Sequence, residues 1–573
     1  MQERGEEMRI WLIAALLFLA LCGLAAKLAY LHLGNHSKVK REYTRELLGL
    51  RGRIFDCNSD QFPMAVSLPA RQFFLDPQAV KKGYDVRSIS KIVAEALNLD
   101  ENDVLAKFHQ TDSRYIKLGI STSDQAFSVL SDLKRVSGVG AEELPIRSYP
   151  QGRRMSHVLG FVNNLGVGGA GVEQTFNRYL KGTPGLITSE MDAGRIEIWS
   201  RRKVHVPPIP GSDVYLTLDH NIQYEVEQTL KDVVEKFQAV RGWVIVQRVK
   251  TGAILAMASY PDFEPEHYTE ESGDIWRNNA LAVVYEPGSI MKSVTVASAL
   301  NEHLVTPNTM IDVGEGTWFY AGKPLHDHVT GCISVSTALK KSSNIACAKI
   351  GLMFKPQRLE SYLRAFNFGD QLGIELPGEE KGILARSKDW SKLTPTRVPI
   401  GQGIAVTGLQ MINAYSTLAN DGVMMRPYLV EKIVSPSGEL VFRAQPEVLG
   451  RPVRPEVARA VREMLIGVTE EGGTGKRATV AGYSVGGKTG TAQKAVPGGY
   501  SSTDYYASFV GFVPAHEPVF SVLVSVERPR PQHTGGFVSA PAFAKIAAAT
   551  ARYLEVPPDQ PVEQDDDSGD AQP

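Results

Sequence analysis

The sequence predicts an α+β protein carried on one N-terminal membrane helix, and three observations carry that prediction. Ile10–Ala26 is a run of 17 residues without a charge. From Arg51 to about Pro210 the chain shows short apolar alternations broken by glycines. From Asp213 to about Tyr553 strand-like and helix-like runs are mixed. Composition agrees: in 573 residues, 43% hydrophobic and 22% charged, a sizeable core can form, which excludes a disordered or fibrous protein. At about 100–200 residues per domain the length suggests three to five units, or fewer if one is large. With 62 Lys plus Arg against 63 Asp plus Glu, the net charge of -1 argues against a nucleic-acid binder. Cys22, Cys57, Cys332 and Cys347 form no CxxC pair and have no metal-ligand spacing, so neither a disulfide framework nor a zinc site is expected.

The first element is the anchor. A membrane core of ~30 Å needs about 20 helical residues, which 10–33 supplies if Lys27 snorkels to an interface. A cleaved signal peptide is the rival reading, because Gly23-Leu24-Ala25 has a small-x-small pattern. Its n-region should be positive, yet Arg4 and Arg9 face Glu3, Glu6 and Glu7, so an uncleaved anchor is favoured. More basic residues follow the span than precede it, the reverse of a simple positive-inside count. That count carries little weight when a very long domain follows.

The second element runs from residue 34 to 211, and its glycine-broken segments read as hairpins and loops. One helical stretch, Val86–Phe108, interrupts them. Val206-Pro207-Pro208-Ile209-Pro210-Gly211 marks a boundary, being proline-rich and short of donors. In the third element, 212–555, Asp213–Leu218 alternates like a strand and Ile222–Phe237 reads as a helix. Trp243–Val249 and Ala253–Ser259 read as a hairpin turning at Lys250-Thr251-Gly252, with further strands at Tyr506–Val513 and Val519–Val526. The acidic, proline-rich tail 556–573 is expected to be disordered.

Within the third element lies a candidate nucleophile. Ser-x-x-Lys places a serine and a base on one helical face, but the pattern is cheap and occurs at Ser37, Ser88, Ser131, Ser200 and Ser289. Context selects Ser289: Glu286-Pro287-Gly288 breaks the chain before it and an apolar run, Ile290–Leu300, follows. A helix N-terminus there offers unpaired N–H groups to an oxyanion. Lys292, one turn inside, would lose its charge more easily through desolvation and so could serve as a base. On local sequence alone an ordinary N-cap serine with a solvated lysine fits equally well.

Two later motifs favour the catalytic reading. Ser342-Ser343-Asn344 is the one Ser-x-Asn in the chain and opens a small-residue helix. Lys488-Thr489-Gly490-Thr491 follows two glycines, and a cationic, hydroxyl-bearing strand edge suits the carboxylate of an extended peptide. The other Lys-Thr-Gly, at Lys250, precedes Ser289 and reads as a hairpin turn.

The ordered set Ser-x-x-Lys, Ser-x-Asn, Lys-Thr-Gly is the motif set of penicillin-binding proteins and serine β-lactamases. The chain resembles a class B penicillin-binding protein, a peptidoglycan D,D-transpeptidase of the cell-division (FtsI) type. Arg51-Gly52-Arg53-Ile54-Phe55-Asp56 matches the family's opening element after the anchor, and Arg147-Ser148-Tyr149-Pro150-Gln151-Gly152, Gly171-Val172-Glu173 and Gly182-Thr183-Pro184-Gly185 match its pedestal region. Gly401-Gln402-Gly403 and Ala419-Asn420-Asp421-Gly422 match its transpeptidase domain. Where the family usually continues Asp-Arg-Asn-Gly, this chain has Asp56-Cys57-Asn58-Ser59.

The resemblance implies a division of the chain: cytoplasmic tail 1–9, anchor 10–33, mainly-β pedestal 34–211, β-lactamase-like transpeptidase domain 212–555 and tail 556–573. It also implies roles. Ser289 attacks the bond between two terminal D-alanines of a stem peptide, with Lys292 as base. Ser342 and Asn344 relay a proton and orient the donor. Lys488 and Thr489 hold its carboxylate, the N–H groups of Ser289 and Thr491 form the oxyanion hole, and Gly490 lies with Thr489 and Thr491 on the substrate-binding strand. An amine of a neighbouring stem then completes the cross-link. No metal or organic cofactor is implied. The implied partners are stem peptides, a SEDS-type glycan polymerase, other division membrane proteins and β-lactam inhibitors. Because cross-linking occurs outside the inner membrane, the body of the chain should be extracytoplasmic.

An elongation-type transpeptidase and a non-catalytic anchored scaffold stay open as alternatives. A β-lactamase is disfavoured, since Glu360-Ser361-Tyr362-Leu363-Arg364 lacks the Asn of the deacylating loop. The net charge also resolves: without the seven acids that follow Arg552, 62 bases face 56 acids, +6 for the anchor and folded parts. A mildly basic body suits an anionic wall.

Overall fold

The structure, a computed structural model, describes residues 2–33, 42–58, 61–80, 85–110, 112–190, 201, 203–271 and 273–561. Two compact units divide the chain: Met1–Gly49 with Thr183–Ile209, and Leu50–Gly182 with Pro210–Pro573. In the first unit a helix spans Gln2–Leu33. Its stretch Trp11–Tyr30, mean hydropathy 2.4, is long and apolar enough to cross a membrane, and none of it is buried. The same unit holds a three-stranded antiparallel sheet in which Gly185–Glu190 lies between Glu42–Leu47 and Lys203–Val206.

The second unit contains two bodies of structure. In one, Val66–Leu75 pairs with Ile116–Ser121 on one side and Val139–Ser148 on the other. Helices Val86–Leu97, Glu101–Phe108 and Asp124–Ser137 cover this sheet, around Phe73, Leu75, Ile89, Val93, Leu118 and Leu130. The single helix expected over Val86–Phe108 is therefore two. Asn98 takes a left-handed conformation (φ 54°) and returns its N–H to Ala94 O, and Asp100 caps the next helix through the N–H groups of Asn102 and Asp103. The third helix was not anticipated, although Ser123 caps its start and Gly138 its end.

At the end of strand Val139–Ser148, Arg147 joins Arg51 and Glu173 in a buried triad. Arg51 Nε donates to Glu173 Oε2 at 2.5 Å and Arg147 Nε to Glu173 Oε1 at 2.6 Å. Arg51 also reaches Asn177 Oδ1 at 2.7 Å, and Arg147 reaches Gly52 O at 2.8 Å. Segments 51–56, 147–150 and 171–173, far apart in sequence, meet through these charges.

The other body is a five-stranded antiparallel sheet between helices. Its elements in chain order are α1 (His220–Lys236), β1 (Arg241–Arg248), β2 (Ile254–Tyr260), α2 (Lys292–Asn301), α3 (Asn344–Leu352), α4 (Gly408–Ala419), β3 (Gly486–Val496), β4 (Gly499–Val513), β5 (Phe520–Glu527) and α5 (Gly535–Tyr553). The strand order is β2-β1-β5-β4-β3, which leaves β3 at an edge. Alternate residues serve opposite faces. Val244 and Val246 pack with Ile222, Val226, Phe543 and Ile546 of α1 and α5. Trp243 and Ile245 face the larger core containing Met411 and Tyr415 of α4. Burial on both faces explains why these strands read as near-continuous apolar runs. The Lys250 motif does sit in the β1–β2 turn.

The first residues of the tail expected to be disordered are held in place. Tyr483 Oη donates to Val556 O at 2.7 Å and Ser484 N to Asp559 Oδ1 at 2.6 Å, which fastens the first tail residues to the segment before β3. Residues 562–573, which carry the rest of that expectation, lie outside the described residues.

Candidate active site

Ser289 lies in a single 3₁₀ turn, Gly288–Met291, that leads directly into α2, so Lys292 is the first residue of the α-helix. Gly288 takes φ +56° and donates its N–H to Gly401 O at 3.0 Å. At Gly401 (φ +80°) a Cβ would come 2.1 Å from Gly288 O, so this approach requires glycine. The turn is thus pinned from the side of Gly401-Gln402-Gly403. Its other side abuts β3, where a Cβ on Gly490 would be 3.1 Å from Ile290 Cγ2 and 3.3 Å from Pro287 O.

The three motifs converge. Lys292 is fully buried, and its Nζ donates to Ser342 O at 2.6 Å, Asn344 Oδ1 at 2.7 Å and Ser342 Oγ at 3.2 Å. Ser342 sits at φ +59°, just outside α3, which aims both its carbonyl and its hydroxyl at the lysine. Ser343 takes the N-cap position, accepting from Ala346 N at 3.1 Å. Burial lowers the Lys292 pKa from 10.5 to about 8, only partly opposed by Cys347 and Asp327. A neutral amine can donate to Ser342 O and Asn344 Oδ1 while keeping its lone pair for a hydroxyl proton.

Lys488 is also fully buried. Among the described residues its Nζ reaches only Thr489 O and Oγ1, both at 3.4 Å, and burial followed by the charge of Lys292 drives its pKa well down. On edge strand β3, Thr489 is opposite Phe509 and Thr491 opposite Ala507. Thr489 Oγ1 lies 2.8 Å from Thr474 Oγ1, and Thr491 Oγ1 accepts from Gly535 N at 3.1 Å.

Ser289, Ser342, Asn344, Thr489 and Thr491 line one cleft of about 800 Å³. Lys292, Lys488 and Gly490 stand behind that lining. Among the described residues the Ser289 hydroxyl has no hydrogen-bond partner in the protein. Of the other Ser-x-x-Lys serines, Ser88 hydrogen-bonds its own helix cap, Asp85, at 2.6 Å, and Ser131 lies in the helix Asp124–Ser137. Ser37 and Ser200 lie outside the described residues. Asp504, Tyr505 and Tyr506 do not line the cleft: Asp504 pairs with Arg528 and Arg530, and Tyr506 packs on Tyr285 and Trp243. Tyr505 stacks on His533, which does.

Two participants carry no motif. Asp327 accepts from Ser343 Oγ through a short hydrogen bond and from Ile345 N at 3.0 Å. With His326 O, which accepts from Asn344 Nδ2 at 3.1 Å, it fixes the start of α3. Glu286 lines the cleft three residues before Ser289. A lone loop Asp gives no signal by spacing, and Glu286 was legible only as part of the break before the serine.

Comparison with known proteins accounts for this arrangement. The penicillin binding protein transpeptidase domain family matches residues 242–548, and the penicillin-binding protein dimerisation domain family matches 47–216. Stage V sporulation protein D of Bacillus subtilis is 32% identical over 518 residues, covering 89% of this chain and 79% of its own length. Peptidoglycan D,D-transpeptidase FtsI of Escherichia coli is 29% identical over 570 residues, covering 96% and 92%. A crystal structure of penicillin binding protein 3 from Mycobacterium tuberculosis, complexed with aztreonam, has a TM-score of 0.70 at 27% identity and covers 90% of this chain and 99% of that one. The transpeptidase family alone spans more than half of the sequence, and the relatives extend the match along nearly all of it. The chain belongs to the class B penicillin-binding proteins and is a peptidoglycan D,D-transpeptidase.

Proposed function

We propose that the protein cross-links peptidoglycan at the division septum through an acyl-enzyme on Ser289, and that penicillins acylate the same oxygen. The observation that carries this reading is the contact of Lys292 Nζ with both Ser342 and Asn344, which ties the first two motifs into one proton-handling group. Lys292 removes the Ser289 proton as Oγ attacks the D-Ala-D-Ala carbonyl. Asn344 orients the donor peptide, and Ser342 relays the proton to the leaving D-alanine. Lys488 and Thr489 bind the donor's terminal carboxylate, with Gly490 giving close approach along the strand. The N–H groups of Ser289 and Thr491 receive the oxyanion. Edge strand β3 supports an extended donor lying alongside it.

The septal role is supported by likeness to FtsI. The apolar N-terminal helix supports an inner-membrane anchor, with residues 1–9 inside and the pedestal 34–211 and transpeptidase domain 212–555 outside, where the substrate is. On that surface the protein works beside a SEDS-type polymerase and other division proteins. Purified full chain should release D-alanine from a stem pentapeptide, and Ser289→Ala should not. A fluorescent fusion should gather at the septum; a purely lateral-wall pattern would favour an elongation role. Folded wild-type protein that releases no D-alanine would leave the scaffold reading.

A further inference from the structure

The charges lining the cleft are unevenly divided. Lys341, Lys476 and Arg477 line it together with the face of β3 that suits a carboxylate. Glu286 is the single acidic residue among the described residues that line it. Its Oε1 accepts from Gly403 N at 2.8 Å and from Tyr500 Oη, near the tip of the β3–β4 hairpin, at 3.1 Å. Among the described residues Oε2 receives no hydrogen bond, and no Lys, Arg or His comes within 4.0 Å of the carboxylate. A half-buried carboxylate held by two neutral donors, in a cleft otherwise cationic, lacks the counter-charge that such groups ordinarily have.

We propose that Glu286 is the binding residue for the acceptor: its free Oε2 receives the protonated primary amine of the second stem peptide and delivers it to the acyl-Ser289 carbonyl. This rests on the acyl-enzyme reading above and assigns its second half-reaction. The cationic part of the cleft takes the donor's carboxylate, and the acidic residue beside the nucleophile takes the acceptor's ammonium. One proton passes from the ammonium to Glu286, and the neutral nitrogen attacks. The C–N bond forms and the ester C–O bond breaks. The second nitrogen proton reaches Ser289 Oγ through Lys292, and Glu286 returns its proton to solvent. Burial raises the Glu286 pKa, consistent with a carboxylate able to accept that proton.

The test is the partition of one acyl-enzyme between amine and water, which counts only active molecules and is independent of how fast they are acylated. Full-length protein in detergent is acylated with an acyl-D-alanyl thioester. The acceptor is either Nα-acetyl-lysine, whose ε-amine is charged at neutral pH, or hydroxylamine, which is uncharged. Amide or hydroxamate and free acid are measured by mass spectrometry. Glu286→Gln should lower the amide-to-acid ratio for Nα-acetyl-lysine about tenfold, by raising the half-saturating amine concentration, and change the hydroxylamine ratio by less than about twofold. Glu286→Asp should fall between wild type and Gln. An unchanged ratio for both amines, or an equal loss for both, would overturn the assignment. Penicillin labelling of Ser289 reports separately on the acyl-enzyme reading.

Discussion

Two places in this molecule bury charge, and they do so in opposite ways. In the pedestal segment of the larger unit, Arg51 and Arg147 close on the two oxygens of Glu173, so a fully buried carboxylate is matched by two guanidinium groups. Behind the cleft lining, Lys292 and Lys488 are equally buried, yet among the described residues neither has a carboxylate within 4.0 Å, and the charge of Lys292 adds to burial in holding the Lys488 pKa down. A matched buried charge holds chain segments together. An unmatched one costs stability, and here it yields an amine that can give up its proton near neutral pH. The contrast separates a structural ionic cluster from a reactive one without reference to motifs.

The sharpest way to break the contrast is Lys292→Arg, which keeps the cation and removes the ability to deprotonate. Penicillin acylation should fall by ~10³–10⁴-fold, measured as the rate of covalent labelling. Lys292→Met should lose acylation as fully while its melting temperature holds or rises; a large fall in melting temperature would show that the lysine is structural. At the triad the expectation reverses. Glu173→Gln leaves two buried guanidinium groups unmatched and should cost about 3–5 kcal/mol in denaturant unfolding, while the folded fraction acylates at the wild-type rate.

Acylation by the wild type should rise about tenfold per pH unit below pH 8 and level off above it, because the base must be neutral. The stability sign follows from the same shift. The folded value lies below the unfolded 10.5, so the unfolded state binds more protons between about 8 and 10.5. The penalty of burying Lys292 is therefore full below pH 8 and is relieved as pH rises through that window. Asp327→Asn should slow acylation about tenfold and cost about 1–3 kcal/mol, since it withdraws an acceptor from Ser343 and Ile345. The smallest effect belongs to an exposed pair: Lys545→Ala, removing a 3.4 Å contact with Asp232, should change unfolding free energy by less than about 1 kcal/mol.

How much of this was legible in the sequence depended on the range of the interaction. Strands 241–248 and 254–260 and the helix before them were readable because periodicity and turn residues act locally. That Ser289, Ser342 and Lys488 belong together was readable because order and spacing make three cheap motifs specific together, and the structure gathers them around one cleft. The helix 124–137 carries its Ser123 and Gly138 caps in the sequence, but it sits among glycine-broken apolar alternations that read as hairpins and loops. The break at Asn98 was missed because the apolar period runs on across it. Asp327 and the free oxygen of Glu286 could not be read at all: each acquires its role only when distant backbone is brought to it. The docking of Asp559 on Ser484 was hidden in the same way, by a composition that suggested only an acidic tail.

The proposed chemistry stands on Ser289, with Lys292 behind it, as the acylated nucleophile. Intact-mass and peptide-mapping mass spectrometry of the full chain after exposure to a penicillin tests it most directly. One adduct is predicted, on the peptide containing Ser289, absent in Ser289→Ala and scarcely formed in Lys292→Arg. An adduct on any other residue, or none on folded wild-type protein, would contradict the account.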